Sequence, residues 1–135
     1  MKKNRLLYSV LLLLMILLSS CSNLRPIISL NRQNTPFGLS SKQIKQSIVT
    51  AAQELKWRVS ATEDGLIQAT YYSNKQQVDI DIPYSSISYS IIYLSSHNLG
   101  AANGQINLKY NQWIYDLNNR IHQELNSIHK HKNQK

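Results

Sequence analysis

The sequence predicts an α+β domain in two layers: a four-stranded antiparallel meander with two helices packed on one face, in the order α-β-β-β-β-α. Three observations predict it. Residues 41–56 and 105–129 each carry a single apolar stripe at helical spacing, and the forty residues after the first stripe alternate with period two. A sheet with one apolar face closes most compactly when both helices cover that face. With 135 residues the chain is long enough for one domain and no more.

The elements follow in chain order. Met1 to Arg5 holds three positive charges and no acid, and Leu6 to Leu18 is apolar except at Tyr8 and Ser9. Thirteen residues make a helix of about 20 Å, too short for a hydrocarbon core of roughly 30 Å. Residues 1–20 therefore read as an export signal. The signal ends in Leu18-Ser19-Ser20-Cys21, which resembles the bacterial lipobox: an aliphatic residue, two small ones, then cysteine. Small residues let the signal peptidase reach the bond before the cysteine. The resemblance implies a diacylglycerol on the Cys21 thiol, cleavage before Cys21, and a further acyl chain such as palmitate on the new amine. Several acyl chains hold a protein on a bilayer far better than one. Ser22, where an inner-membrane retention signal would place Asp, implies the outer membrane on its periplasmic face, with the inner membrane as the alternative.

Residues 21–38 follow the lipidation site and include Pro26, Pro36 and several Asn, Gln and Ser, without periodicity. They read as a flexible tether, able to hold the domain up to about 55 Å from the headgroups. The domain is expected over 39–129 and a basic tail over 130–135.

Ser40-Ser41 offers an N-cap, and Ile44, Ile48, Ala51, Ala52 and Leu55 form one stripe of a helix over 41–56. Four strands follow. A two-residue Asn74-Lys75 turn sets Tyr71 against Val78, Ala69 against Ile80 and Ile67 against Ile82, with Thr70 facing Asp79 and Gln68 facing Asp81. A four-residue Pro83–Ser86 loop sets Ile82 against Ile87 and Ile80 against Tyr89. At the first hairpin, a three-residue Glu63-Asp64-Gly65 loop sets Ala61 against Ile67, Val59 against Ala69 and Trp57 against Tyr71, keeping every apolar set on one face. Ser95 to Gly104 reads as a loop. Ile106, Tyr110, Trp113, Ile114, Leu117, Ile121, Leu125 and Ile128 then mark a second helix over 105–129.

Charge narrows the function. The chain carries a formal +8, which invites a nucleic-acid reading. The excess sits at the ends, however: residues 39–128 hold seven bases and seven acids. A neutral domain lacks the footprint that phosphate binding requires, so no nucleic acid is expected. A single cysteine excludes an intrachain disulfide, a cysteine-only zinc site and a CxxC pair.

Candidate chemistry is sparse. Asp79 and Asp81 share a strand face, a spacing that suits an acid pair or a cation site. They read instead as the solvent side of an amphipathic strand, with Thr70 and Gln68 as cross-strand partners. No G-x-S-x-G, P-loop, G-x-G-x-x-G or H-E-x-x-H motif occurs. His122 lies about two helical turns before His129, and the tail pair His129 and His131 has no acid close by and sits among lysines, so no metal is expected; no cofactor and no catalytic residue are expected either. Tyr72, Ile92 and Leu94 fall on the outer sheet face, where apolar groups suit a docked partner. Ser96, His97 and Asn98, in the 95–104 loop, are the polar contacts for the alternative, a binder of a small ligand or cell-wall fragment.

Tyr93-x-x-Ser96-x-Asn98-Leu99, followed by Ile106-Asn107-x-x-Tyr110-Asn111-x-Trp113-Ile114-x-x-Leu117, resembles a pattern in small uncharacterised proteobacterial lipoproteins. Together with the upstream helix, Trp-led strand and glycine turn, the likeness spans most of 40–125. It implies an exported lipoprotein and carries over no catalytic residue. Where the usual form has His after the isoleucine, this chain has Asn107. The expectation is a non-enzymatic, membrane-anchored envelope lipoprotein that docks an envelope protein in the periplasm.

Overall fold

The computed structural model describes residues 4, 8 and 23–134; the rest of the expected export segment and Cys21, the expected lipidation site, lie outside the described residues. The chain forms β1 (Leu24–Pro26), β2 (Leu30–Asn34), α1 (Ser41–Glu54), β3 (Arg58–Glu63), β4 (Leu66–Ser73), β5 (Gln76–Pro83), β6 (Ser88–His97), β7 (Gln105–Asn107) and α2 (Leu108–Asn133). Among the described residues the class is α+β, with α1, α2 and antiparallel sheets. The expected four-stranded meander is only the centre of it. A five-stranded sheet runs in the order β2-β6-β5-β4-β3, and β1 pairs with β7 in a separate two-stranded sheet.

Helix α1 begins where its cap chemistry dictates. The Ser40 hydroxyl accepts from the Gln43 amide at 3.2 Å, and the Gln43 side chain accepts from the Ser40 amide at 3.0 Å. This reciprocal pair satisfies two donors that the first turn leaves free. Ile44, Ile48, Ala51 and Ala52 are fully buried. The helix stops because Lys56 takes a left-handed φ of 67°, letting the Trp57 amide reach back to the Ala52 carbonyl at 2.9 Å.

The sheet buries Ile67, Ala69, Val78, Ile80, Tyr89 and Ile91 against both helices in one core. Each Ile or Val contributes about 1.5–3 kcal/mol by leaving water. That outweighs the few tenths by which a β-branched residue weakens a helix, which explains why Ile also lines α1 and α2. The β4–β5 register is the one expected, from Ile67 opposite Ile82 to Tyr71 opposite Val78. The other two hairpins differ.

At β3–β4 the pairing Val59↔Ala69 is present, but Ala61 faces Gln68 and not Ile67. The turn is the tight Asp64-Gly65 pair, and the extra residue sits in the strand as a bulge between Val59 and Ala61. Gly65 supplies φ +84°. A bulge restores the inward face just as a longer loop would.

At β5–β6 the register is displaced by four residues: Ile80 faces Tyr93 and Tyr84 bridges Tyr89. Ser85 fixes this. Its amide donates to the Ser88 carbonyl at 2.8 Å, and its hydroxyl accepts from the Ile87 and Ser88 amides, both at 3.2 Å. Ile87, expected inside strand four, is therefore thrown to the loop tip and is 74% exposed. Strand β6 also runs on through His97, so only Asn98–Gly104 remains of the expected 95–104 loop.

The largest correction concerns the expected tether. Residues 24–34 are built into both sheets. The Asn23 carbonyl accepts from the Leu108 amide at 2.7 Å, and Ile27 donates to the Gly104 carbonyl at 2.9 Å. The Asn111 amide donates to the Pro26 carbonyl at 3.0 Å, and the Tyr110 hydroxyl to the Ile28 carbonyl at 2.8 Å. Ile27, Ile28 and Leu30 pack against the core. The segment lacks periodicity because its strands are short and lie at sheet margins, where one side stays wet.

Helix α2 also differs at both ends. Ile106, expected in the helix, is buried in β7 instead, and Asn107 caps α2 by accepting from the Lys109 amide at 3.0 Å. The helix continues through the expected tail to Asn133, where Lys132 donates to the Gly38 carbonyl. Arg120 bridges Glu54 on α1 and Glu124 on its own helix. The helices are thus antiparallel, with the start of α2 beside β1 and its end beside residue 38.

Candidate functional site

The outer sheet face carries the acid pair in the expected places. Thr70 donates to Asp79 at 2.6 Å, Ser95 donates to it at 2.9 Å, and Gln68 donates to Asp81 at 2.9 Å. These are neutral cross-strand partners, so the carboxylates are held in place by hydroxyls and amides. Among the described residues, no group of three His, Cys, Asp or Glu side chains could hold a metal ion.

Tyr72 and Leu94 are exposed at 50% and 47%, and Ile92 is half-buried. The register keeps them apart. Tyr72 lies on β4 opposite Gln77, whereas Ile92 and Leu94 lie on β6 beyond Asp79 and Asp81 of the intervening strand. The Tyr72 ring is further covered by the Arg58 guanidinium, 5.3 Å from its centroid. The three residues do not form one apolar patch.

The three polar residues meant for a ligand also diverge. The Ser96 hydroxyl is bonded to the Tyr93 hydroxyl at 2.8 Å. His97 ends β6, paired with Gln77 and exposed. Asn98 takes φ +56° and donates its amide to the Lys75 carbonyl at 2.7 Å. Asn98 thus stitches the loop to the neighbouring turn.

Two further histidines lie on α2 against neighbouring side chains. The His122 ring lies 5.9 Å from that of Tyr89, whose hydroxyl donates to Asn118 at 2.8 Å. His129 bonds Asn133 at 3.0 Å. Burial raises the Tyr89 and Tyr110 phenols well above their ordinary range, and Tyr93 adds to the rise at Tyr110. Both hydroxyls stay protonated donors at any physiological pH.

The strongest candidate surface is one that the periodicity concealed. Phe37 is 96% exposed and Ile87 is 74% exposed, and both line one open cleft of about 420 Å³ with Thr35, Leu39 and Lys132. Thr35 ties the two loops together, its amide to the Ile87 carbonyl at 3.1 Å and its hydroxyl to the Ser86 carbonyl at 2.8 Å. Phe37 falls in the expected tether and Ile87 on an expected buried strand face; the Pro36-Phe37-Gly38 turn is the one local sign of an exposed tip. A second groove, about 700 Å³, runs between α1 and the free edge of β3, with Lys42, Lys45 and Asp64 at its rim. Among the described residues no hydrogen bond joins a histidine to a serine or a carboxylate, and no helix is long and apolar enough to cross a membrane.

No family model, no curated protein and no solved structure matches the chain.

Proposed function

We propose that the chain is a non-enzymatic envelope lipoprotein, held on a membrane by acyl chains at Cys21, whose folded domain docks an envelope protein. The observation that carries this reading is Leu18-Ser19-Ser20-Cys21 at the end of a short apolar run with a basic flank. The neutral charge of residues 39–128 and the scattered placement of titratable groups support a docking role over catalysis. The exposed Phe37 and Ile87 support it too, because a large aromatic and an aliphatic lining one open cleft are what a partner would cover. By the sorting rule applied to Ser22, the membrane is the outer one, seen from the periplasm.

Two measurements test the proposal. Intact mass of the native product should show loss of residues 1–20 and addition of acyl groups, and Cys21→Ser should move the protein out of the membrane fraction. Cross-linking in intact envelopes should then capture a defined protein. Capture should fall with Phe37→Lys or Ile87→Lys, and less with Tyr72→Lys or Leu94→Lys. An unmodified Cys21 refutes the anchor. A folded, acylated protein whose cross-links are unchanged by all four substitutions refutes docking through these surfaces.

A further inference from the structure

The capture of the N-terminal segment fixes more than the strand count. Asn23 is held by the Leu108 amide, and β1 begins at the next residue. Two peptide units separate Cys21 from Asn23, so their Cα atoms are at most about 7.6 Å apart. A lipid attached at Cys21 therefore leaves no slack: the part of the domain around Asn23 is drawn down to the headgroups. That part is well defined. Gly100 lies against Leu24, since a Cβ placed on it would sit 3.6 Å from the Leu24 side chain. Asn98 is bonded to Lys75, and the Leu99 carbonyl accepts from the Asn107 amide at 2.8 Å. The Asn74-Lys75 turn, the Asn98–Gly104 loop, β1 and the first turn of α2 thus make one end of the molecule.

The charge of this end is of one sign. Arg25, Lys75 and Lys109 are all exposed there, and the loop and first turn of α2 contain no acid before Asp116. The amino end of a 26-residue helix adds its own positive pole. A basic juxtamembrane surface is attracted to anionic lipid within about a Debye length.

Resting on the anchor reading, we infer that this end is a membrane-contact face, laid on anionic phospholipid headgroups through Arg25, Lys75 and Lys109. The domain stands on the bilayer in a fixed orientation and does not swing on a leash. The Phe37–Ile87 cleft then lies at the far end. The Lys132–Gly38 contact and the Leu108–Asn23 contact are 24 helical residues apart, about 36 Å along α2.

The full acylated protein, reconstituted in phosphatidylethanolamine–phosphatidylglycerol vesicles, gives the test. A nitrobenzoxadiazole dye is placed at Ala101→Cys in the contact loop or at Ser86→Cys at the far tip, both exposed, and a headgroup-bound quencher is added. Quenching should be strong at position 101 and at the free-dye level at position 86. Reversing Arg25, Lys75 and Lys109 together to Glu should lose much of the quenching at 101 while the mass and membrane fraction stay unchanged. Equal quenching at both positions in a protein of verified acylated mass overturns the contact face and leaves the anchor standing. Cross-linking of position 101 to a protein in intact envelopes, in place of lipid, overturns it as well. An unacylated mass overturns both.

Discussion

Tyr110→Phe isolates the bond that ties the N-terminal segment to α2. Phenylalanine keeps the fully buried ring and its edge-on packing with Tyr93, 5.3 Å between centroids, and removes only the hydroxyl that donates to Ile28. The Ile28 carbonyl then loses its partner. Because Ile28 is itself only half-buried, water recovers part of the loss. The cost should be about 1 kcal/mol, near the middle of the range for a neutral hydrogen bond and below that for a fully orphaned group. In a domain of this size that lowers Tm by about 4 °C. Urea unfolding followed by Trp57 and Trp113 fluorescence measures it. Amide exchange locates it: the Ile27 and Thr35 amides should exchange slowly in the parent protein and about fivefold faster in the variant. Tyr89→Phe is the control. It removes a hydroxyl bond of the same length, to the half-buried Asn118 on α2, and should cost a similar amount without selectively freeing Ile27. Free-chain exchange at Ile27 in the parent, together with an unchanged midpoint in Tyr110→Phe, would mean that residues 24–34 are a leash after all.

Lys56→Gly should stabilise the protein by about 1 kcal/mol, because φ +67° is strained for a residue with a Cβ and free for glycine; a lower melting temperature refutes this. Alkaline pH should destabilise the fold through Tyr89 and Tyr110. Both stay protonated when folded and ionise near 10 when unfolded, so the native state binds more protons and stability falls as pH rises above 10. Removing either hydroxyl should flatten that fall by up to about 1.4 kcal/mol per pH unit in urea titrations. Phe37→Ser and Ile87→Ser should each change stability by less than about 0.5 kcal/mol, since both side chains are already in water; a larger loss would make the cleft part of the core.

Much of this architecture was legible where two physical signals agreed. Helix α1 had both its stripe and its Ser40 cap, and the β4–β5 hairpin had a short turn and matched sets on both faces. Ambiguity entered where one signal allowed two answers. At β5–β6, moving Ile80 from Tyr89 to Tyr93 keeps the side chains from Ile80 onward on their own faces, because the slip there is an even number; a register shift between Asp79 and Ile80 adds one residue beyond it. Alternation is blind to the even slip, and only the Ser85 hydrogen bonds decide. At β3–β4 a loop residue and a strand bulge correct the face equally well. The N-terminal strands were hidden for a different reason. Each is too short for a period to show, and their bonds go to residues some 60–85 positions away. Phe37 and Ile87 are hidden with them: Phe37 falls in the expected tether, and Ile87 falls one residue ahead of Ser88, where β6 begins.

The flaws in β2 and β3 bear on crowding. These are the two outermost strands, and each is interrupted, by a register shift between Leu30 and Gln33 with Arg32 at φ +48°, and by the bulge after Val59. A straight margin would offer an incoming polypeptide a continuous row of unpaired donors and acceptors. Here the row is broken on both flanks, so neither margin offers a second polypeptide a straight template on which to pair.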